Sequence, residues 1–258
     1  MRDINDIDKS IEFIEFGIKI LNTKEIKLFP FQTKILYKLL KEDKIIILKA
    51  RQMGITNIFT LYALYKIINN DSYSACIVFS NHSVIKMWKK NLIEILREFG
   101  LTDISKPTDN KIILKNNSYI HMLSARSLDV KDVKSYDFTY VDECAFYPSL
   151  NDVRTEYYDA LAYTSTPAVI HPQHFYSDIQ NIPTSENLII SSTAGKVGSD
   201  FHKLWKANKN GLGDFYPIKL PWDINPTRDS SWLERQKTCM GKKMVNAELK
   251  CKFIKDKK

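Results

Sequence analysis

The chain has 258 residues, 44% of them apolar and 26% charged, with a net charge of +8 and a pI near 9.1. That size fits one large α/β domain or two small ones of ordinary soluble composition, and no apolar run is long enough to span a bilayer. The positive surplus admits nucleic acid or another polyanion as a partner, while the dispersal of most lysines also suits a plain bias in the source genome's composition.

The opening Met1-Arg2-Asp3-Ile4-Asn5-Asp6 is too polar for a signal peptide, so a soluble intracellular protein without membrane contact is expected. Residues 1–28 read as an N-terminal segment of one or two short amphipathic helices, with Ile11, Phe13, Ile14, Phe16 and Ile18 as apolar surface. A second unit, residues 29–258, begins with Phe29-Pro30-Phe31-Gln32 and a helix carrying Ile35, Leu36, Leu39 and Leu40 on one face. The Gln32 amide offers both the donor and the acceptor that adenine N7 and N6 require, and equally suits a solvated helix start.

Lys41-Glu42-Asp43-Lys44 gives way to Ile45-Ile46-Ile47-Leu48, a buried-strand pattern. The strand runs through Lys49-Ala50-Arg51-Gln52-Met53 into Gly54-Ile55-Thr56 and an apolar helix from Ile58 to Tyr65. Strand, tight loop and helix form the plan of a phosphate-binding loop, in which backbone N–H groups and a helix N-terminus face an anion and Thr56 reaches Mg²⁺. The pattern G-x-x-x-x-G-K-[ST] is met at Gly54 and Thr56 only, because Ile55 stands at the lysine position and Lys49 at that of the first glycine. A lysine at the other end of the loop can still bring its flexible ammonium over the β and γ phosphates, and Arg51 is a second cation in the same turn.

Ser74 to Ser80 reads as a second buried strand, followed by Asn81 or Ser83 as the cap of a helix from about Val84 to Phe99. Residues 111–123 read as a hairpin turning at Asn116-Asn117-Ser118. Phe138-Thr139-Tyr140-Val141 then ends in Asp142-Glu143, two consecutive acids that suit either a solvated turn or a cation site. At the sheet edge that carries the loop, the first acid would help to hold Mg²⁺ and the second would take a proton from attacking water. Asn187 to Ser192 reads as a fourth strand that opens into Thr193-Ala194-Gly195, small residues fit for a loop that senses a γ-phosphate or for any tight turn. A helix with Phe201, Leu204 and Trp205, a strand Phe215 to Leu220, and helices near Ser230–Met240 and Val245–Phe253 close the chain, with Trp205, Trp222 and Trp232 expected as core anchors. Of the four cysteines, none with metal-ligand spacing, Cys76 and Cys144 lie in strand-like runs as buried free thiols. An α/β P-loop NTPase fold of the RecA or ASCE kind follows, with a mostly parallel sheet flanked by helices.

The loop, the Val141-Asp142-Glu143-Cys144-Ala145-Phe146 stretch and the Ser191-Ser192-Thr193-Ala194 stretch, in this order and spacing, resemble the large terminase subunit of tailed bacteriophages, the motor that pumps DNA into the capsid. The similarity covers roughly residues 28–254, and the set of three motifs is specific where each alone is not. The resemblance implies that Gln32 and residues Lys49, Ala50, Arg51, Gln52, Met53, Gly54, Ile55 and Thr56 bind ATP through Walker A and Walker B type motifs. It implies Mg²⁺ on Thr56 and Asp142, Glu143 as catalytic carboxylate, and Ser191, Ser192, Thr193 and Ala194 as the motif coupling hydrolysis to DNA movement. Arg51 is the candidate for stabilising the transition state, with Arg126 as the alternative, and the Arg-Gly pair often found before the acidic strand is missing. Implied partners are double-stranded DNA, the portal protein, the small terminase subunit and further copies in a ring, the motor being monomeric alone and docked on the procapsid in the host cytoplasm.

The family's chain continues into a nuclease domain, whereas this one stops near Phe253 with no second acidic constellation, so DNA cleavage is not expected of it. Two rivals remain at this stage. One is a degenerate nucleotide- or DNA-binding module in which Ile55 marks lost hydrolysis. The other is a helicase-type translocase, disfavoured because no chain is left after residue 254 for a second RecA-like domain.

Overall fold

The computed structural model describes residues 3–23, 26–101, 104–105, 110–124, 136–146 and 184–255. Eight strands form one sheet: β1 (Lys44–Lys49), β2 (Ser74–Phe79), β3 (Ile104–Ser105), β4 (Lys111–Leu114), β5 (Tyr119–Ser124), β6 (Tyr136–Val141), β7 (Thr184–Ser192) and β8 (Tyr216–Leu220). Their order is β3-β4-β5-β2-β6-β7-β1-β8. Strands β5 through β8 in that order pair in parallel, and β3 and β4 add an antiparallel edge beside β5. The β-branched run Ile45-Ile46-Ile47 sits inside the parallel part, between β7 and β8, where both faces of the strand are covered and alternation of polar and apolar residues disappears.

The longer helices among the described residues are α1 (Ile4–Asn22), α2 (Pro30–Lys38), α3 (Ile55–Asn69), α4 (His82–Glu98), α5 (Asp200–Lys209) and α6 (Ser230–Cys239). One face of the sheet, with Ile45, Ile47, Ile77, Phe138 and Tyr140, is covered by α1 to α4, and α3 is apolar nearly all round because it lies between the sheet and α1. Gly17 allows this layering, since a Cβ there would lie 3.0 Å from Leu61 Cδ2. The other face, with Ile46, Leu48, Val78, Val141 and Ile190, receives Phe201, Leu204 and Trp205 of α5. No helix among the described residues is long and apolar enough to cross a membrane.

Several expectations are refined. The N-terminal segment forms a single helix, α1, whose Ile7, Phe13, Ile14 and Ile18 join the main core. The expected helix Val245–Phe253 is instead a short turn, Lys242–Met244, continuing as a π-helix, Val245–Leu249. It stops because Cys251 turns left-handed (φ 53°) and Ile254 pairs with Lys196. Trp205 is a core residue, whereas Trp222 and Trp232 are partly buried and stack on each other at 5.9 Å and 17°. Cys76, Cys144 and Cys251 are buried free thiols, and burial pushes the thiols of Cys76 and Cys251 up to about 12.

Candidate nucleotide site

Parallel registry brings the motifs together. Leu48 of β1 pairs with Ser192 of β7, and Ile190 of β7 pairs with Val141 of β6. Lys49, the Ser191-Ser192 pair and Asp142 therefore emerge at the same sheet edge, with β7 inserted between the loop strand and the acidic strand. In α/β sheets the carboxyl ends of the strands form the ligand-binding edge.

The loop itself is shaped by two left-handed residues, Gln52 (φ 58°) and Gly54 (φ 74°). At Gln52 a side chain must tolerate a conformation that costs roughly 1–2 kcal/mol. At Gly54 the missing Cβ is needed twice, because it would also meet the Gln32 Nε2 at 2.7 Å. That Gln32 Nε2 donates to the Met53 carbonyl (2.9 Å), and the Gln32 Oε1 accepts from the Phe29 N–H (2.9 Å). The amide thus ties the start of α2 to the loop while keeping one donor and one acceptor position at its two ends. The N–H groups of Ala50 and Arg51 are already bonded, to Leu220 O (2.7 Å) and Glu248 O (2.6 Å). Ala50 and Arg51 consequently offer no open backbone donor. Those of Gln52, Met53 and Gly54 have no hydrogen-bond partner among the described residues. Helix α3 starts on Gly54 without a side-chain cap, so its first turn of donors faces the same space.

Four side chains meet beneath the loop. Thr56 Oγ1 donates to Asp142 Oδ2 (2.7 Å), and the Lys49 ammonium donates to Glu143 Oε1 while standing 4.0 Å from Asp142 Oδ1. The Lys49 side chain is only 5% exposed. Burial alone would push its ammonium down, but the charges of Asp142 and Glu143 outweigh that and raise it above the usual lysine value. Lys49 is therefore a full positive charge at neutral pH. Ile55, at the position where the common pattern has lysine, is 1% exposed and packed in the core. A lysine there would be driven into apolar surroundings, and the strand-end Lys49 supplies the cation instead.

Asp142 and Glu143 lie just beyond the end of β6, with Glu143 left-handed (φ 53°). Asp142 Oδ1 accepts from Tyr140 OH (2.7 Å) and Ser191 Oγ (3.1 Å), and these two hydroxyls also touch (2.8 Å). Glu143 Oε2 receives the Thr193 N–H at 3.4 Å and the Ser192 hydroxyl at 3.5 Å, while Ser192 Oγ accepts from the Ala145 N–H (3.0 Å). Ala194 is buried behind them. The stretch Ser191 to Thr193 is thus in direct contact with both acids. Arg51 is exposed at the loop rim, and Arg126 lies outside the described residues.

Three further residues complete the site. The Tyr140 hydroxyl holds Asp142, and burial followed by the Asp142 charge keeps that phenol well above its usual value. Glu248, in the π-helix, accepts from Thr193 Oγ1 (3.3 Å) through its carboxylate and from Arg51 through its carbonyl. Arg228, just before α6, donates to the carbonyls of Arg51 (3.0 Å) and Gln52 (2.8 Å). Tyr140 stands two residues before the acid on the same strand face, a spacing that could have exposed it in the sequence. Arg228 and Glu248 carry no local signal.

A loop between β1 and α3, acids at the end of β6 and a strand inserted between define the class of P-loop NTPases. Residues 46–156 match the family model described as terminase large subunit, T4likevirus-type, N-terminal. Over that stretch the sequence is similar to the N-terminal part of terminase large subunits, and the fold is that of the solved domains that follow. The chain resembles the large terminase ATPase domain of Thermus phage P74-26 with a TM-score of 0.59 and 15% identity, over 92% of this chain and 97% of that one. The HK97 bacteriophage large terminase gives 0.60 and 17%, over 91% of this chain and 48% of that one. The large terminase of the thermophilic bacteriophage D6E in complex with ADP gives 0.56 and 13%, over 92% and 52%. The chain spans about half the length of the HK97 and D6E chains. At these identities the likeness is one of fold. No curated protein matches the sequence.

Proposed function

We propose that the chain is the ATP-hydrolysing motor domain of a viral DNA-packaging terminase, which moves double-stranded DNA into the procapsid. The observation that carries this reading is the buried Lys49 ammonium held between Asp142 and Glu143, beneath a loop with open backbone donors. The D6E large terminase has been solved with ADP and with ATP-gamma-S, which supports nucleotide binding at the shared fold.

Thr56 Oγ1 and Asp142 Oδ2, a hydroxyl and a carboxylate oxygen 2.7 Å apart, are the hard oxygen donors that suit Mg²⁺, a cation commonly held by one or two protein groups together with substrate phosphates. They would hold it there, where it would neutralise charge on the β and γ phosphates. The open N–H groups of Gln52, Met53 and Gly54 orient the phosphates, and Lys49 turns from Glu143 to the γ-phosphate as the stronger anion arrives. Released from Lys49, the Glu143 carboxylate is positioned by the Thr193 N–H and the Ser192 hydroxyl to accept a proton from water. The same two contacts report its changed charge to the strand β7 that carries Ser191 to Ala194, which is the proposed coupling of hydrolysis to movement. Gln32 contacts adenine, and Arg51 at the rim stabilises charge developing on the γ-phosphate.

DNA contact through sequence-independent phosphate interactions, assembly as a ring on the portal with the small terminase subunit, and work in the host cytoplasm belong to the same proposal. Single substitutions test the assignment of the two cations. Lys49→Ala is expected to abolish ATP binding and Arg51→Ala to slow turnover with binding kept, as measured by equilibrium titration and phosphate release. The reverse pattern would overturn it.

A further inference from the structure

The loop contains a non-glycine residue in the left-handed region, Gln52, and the N–H groups of Gln52 and Met53 are open although nothing in their own segment aims them. What holds them comes from far along the chain. The Arg228 Nη2 donates to both the Arg51 and the Gln52 carbonyl, and Nη1 lies 3.5 Å from the Met53 sulfur. In a trans peptide the C=O and N–H point in opposite directions. Capturing the carbonyls of residues 51 and 52 on one side therefore turns the N–H groups of residues 52 and 53 to the other. Two successive N–H groups aimed into one concavity form an anion-binding nest. A cation on the carbonyl side also draws electron density through each peptide and strengthens those donors.

Arg228 is itself fixed. Its guanidinium stands 4.5 Å from the centre of the Trp232 ring, which stacks on Trp222. Its N–H bonds to Asn225 O (3.0 Å), and the neighbouring Asp229 caps α6 through the Trp232 N–H (2.6 Å). Arg228 makes no ion pair among the described residues, so no carboxylate there competes with the loop carbonyls for its guanidinium. A lysine ammonium could also reach both carbonyls, but it would lack the planar face held against Trp232 and the second nitrogen beside the Met53 sulfur, so its grip on the loop would be looser.

We infer that Arg228 is a positioning residue that preforms the phosphate nest of residues 51–54 from behind, acting through the loop carbonyls and not by touching phosphate. The inference rests on the nucleotide reading of the site and deepens it. The test is calorimetric titration of the parent, Arg228→Ala and Arg228→Lys with Mg·ADP and with inorganic pyrophosphate, each below its own unfolding midpoint. Both ligands are expected to bind Arg228→Ala about tenfold more weakly than the parent, the size of one charge-assisted hydrogen bond, and Arg228→Lys in between. A merely structural role would lower the unfolding midpoint and leave the affinity of the folded protein unchanged. Parent-like affinity in folded Arg228→Ala overturns the inference, and should that variant not fold, parent-like affinity in Arg228→Lys overturns it equally. A parent that binds neither ligand overturns the nucleotide reading and this inference with it.

Discussion

Lys49 carries a charge almost out of reach of water, and the reason it stays charged is the pair of carboxylates it faces. Removing one partner of such a buried group leaves the others without compensation, so the lysine, the two acids and the hydroxyls around them are one unit. Glu248 sits at the margin of that unit and differs from it. Burial, and then the nearby Glu143 charge, raise its carboxyl above the usual value, against the smaller opposing effects of Thr193, Arg51 and Lys49. A raised carboxyl favours the folded state fully at pH below its unfolded value, and that advantage is lost as pH rises through the folded value. Glu248→Gln removes the charge and keeps an acceptor for Thr193. It is expected to raise the unfolding temperature at pH 7. The gain should vanish as the pH is lowered below the ordinary glutamate value, and an unchanged gain at acid pH would contradict the assignment. Lys49, Thr56, Asp142 and Glu143 were legible from sequence because each stands at the end of a strongly patterned element. Glu248 and Arg228 were not, because their partners are 55 and 176 or more residues away and only the folded sheet brings them together.

Among the elements, α3 starts unlike α1, α4, α5 and α6. Asp3, Asn81, Ser199 and Asp229 close the N-termini of α1, α4, α5 and α6 with side-chain oxygens, whereas α3 begins on Gly54 with its donors open. A helix opened in this way, close to the buried Lys49 ammonium, offers its donors to an anion. Gly54→Ala tests how closely the loop is built. The left-handed backbone alone makes a destabilisation of about 1–2 kcal/mol expected by chemical denaturation. The added methyl would also displace the Gln32 amide from Met53, and nucleotide affinity should fall with it. Parent-like stability and affinity would mean that the loop relaxes freely. The expected strands and the hairpin follow their apolar patterns within a residue or two, except that β7 begins at Thr184, three residues before Asn187, and the short edge strand β3 was not foreseen. The C-terminal helix did not, since a left-handed Cys251 and the pairing of Ile254 with Lys196 are tertiary demands that override the helical pattern of Val245 to Phe253.

At the scale of the molecule, function depends on strand order. With β7 between β1 and β6, the serines at its end touch the acids on one side while its backbone pairs with the loop strand on the other. In the proposed coupling, a change of charge on Glu143 would pass to β7 through the Thr193 N–H and, through the Thr193 hydroxyl on Glu248, to the π-helix beyond it. A mostly parallel sheet was expected but its strand order was not, because the sequence pattern identifies parallel, doubly covered strands but not which of them become neighbours. The central claim is that this assembly hydrolyses ATP with Glu143 as base. Its most direct test is Mg²⁺-dependent phosphate release from ATP by the parent and by Glu143→Gln, side by side over a range of protein concentrations, with ATP binding measured for both. Release by the parent, abolished in Glu143→Gln while ATP still binds, is the predicted result. Equal release by the two proteins, or ATP binding without release in the parent at every concentration, would contradict it.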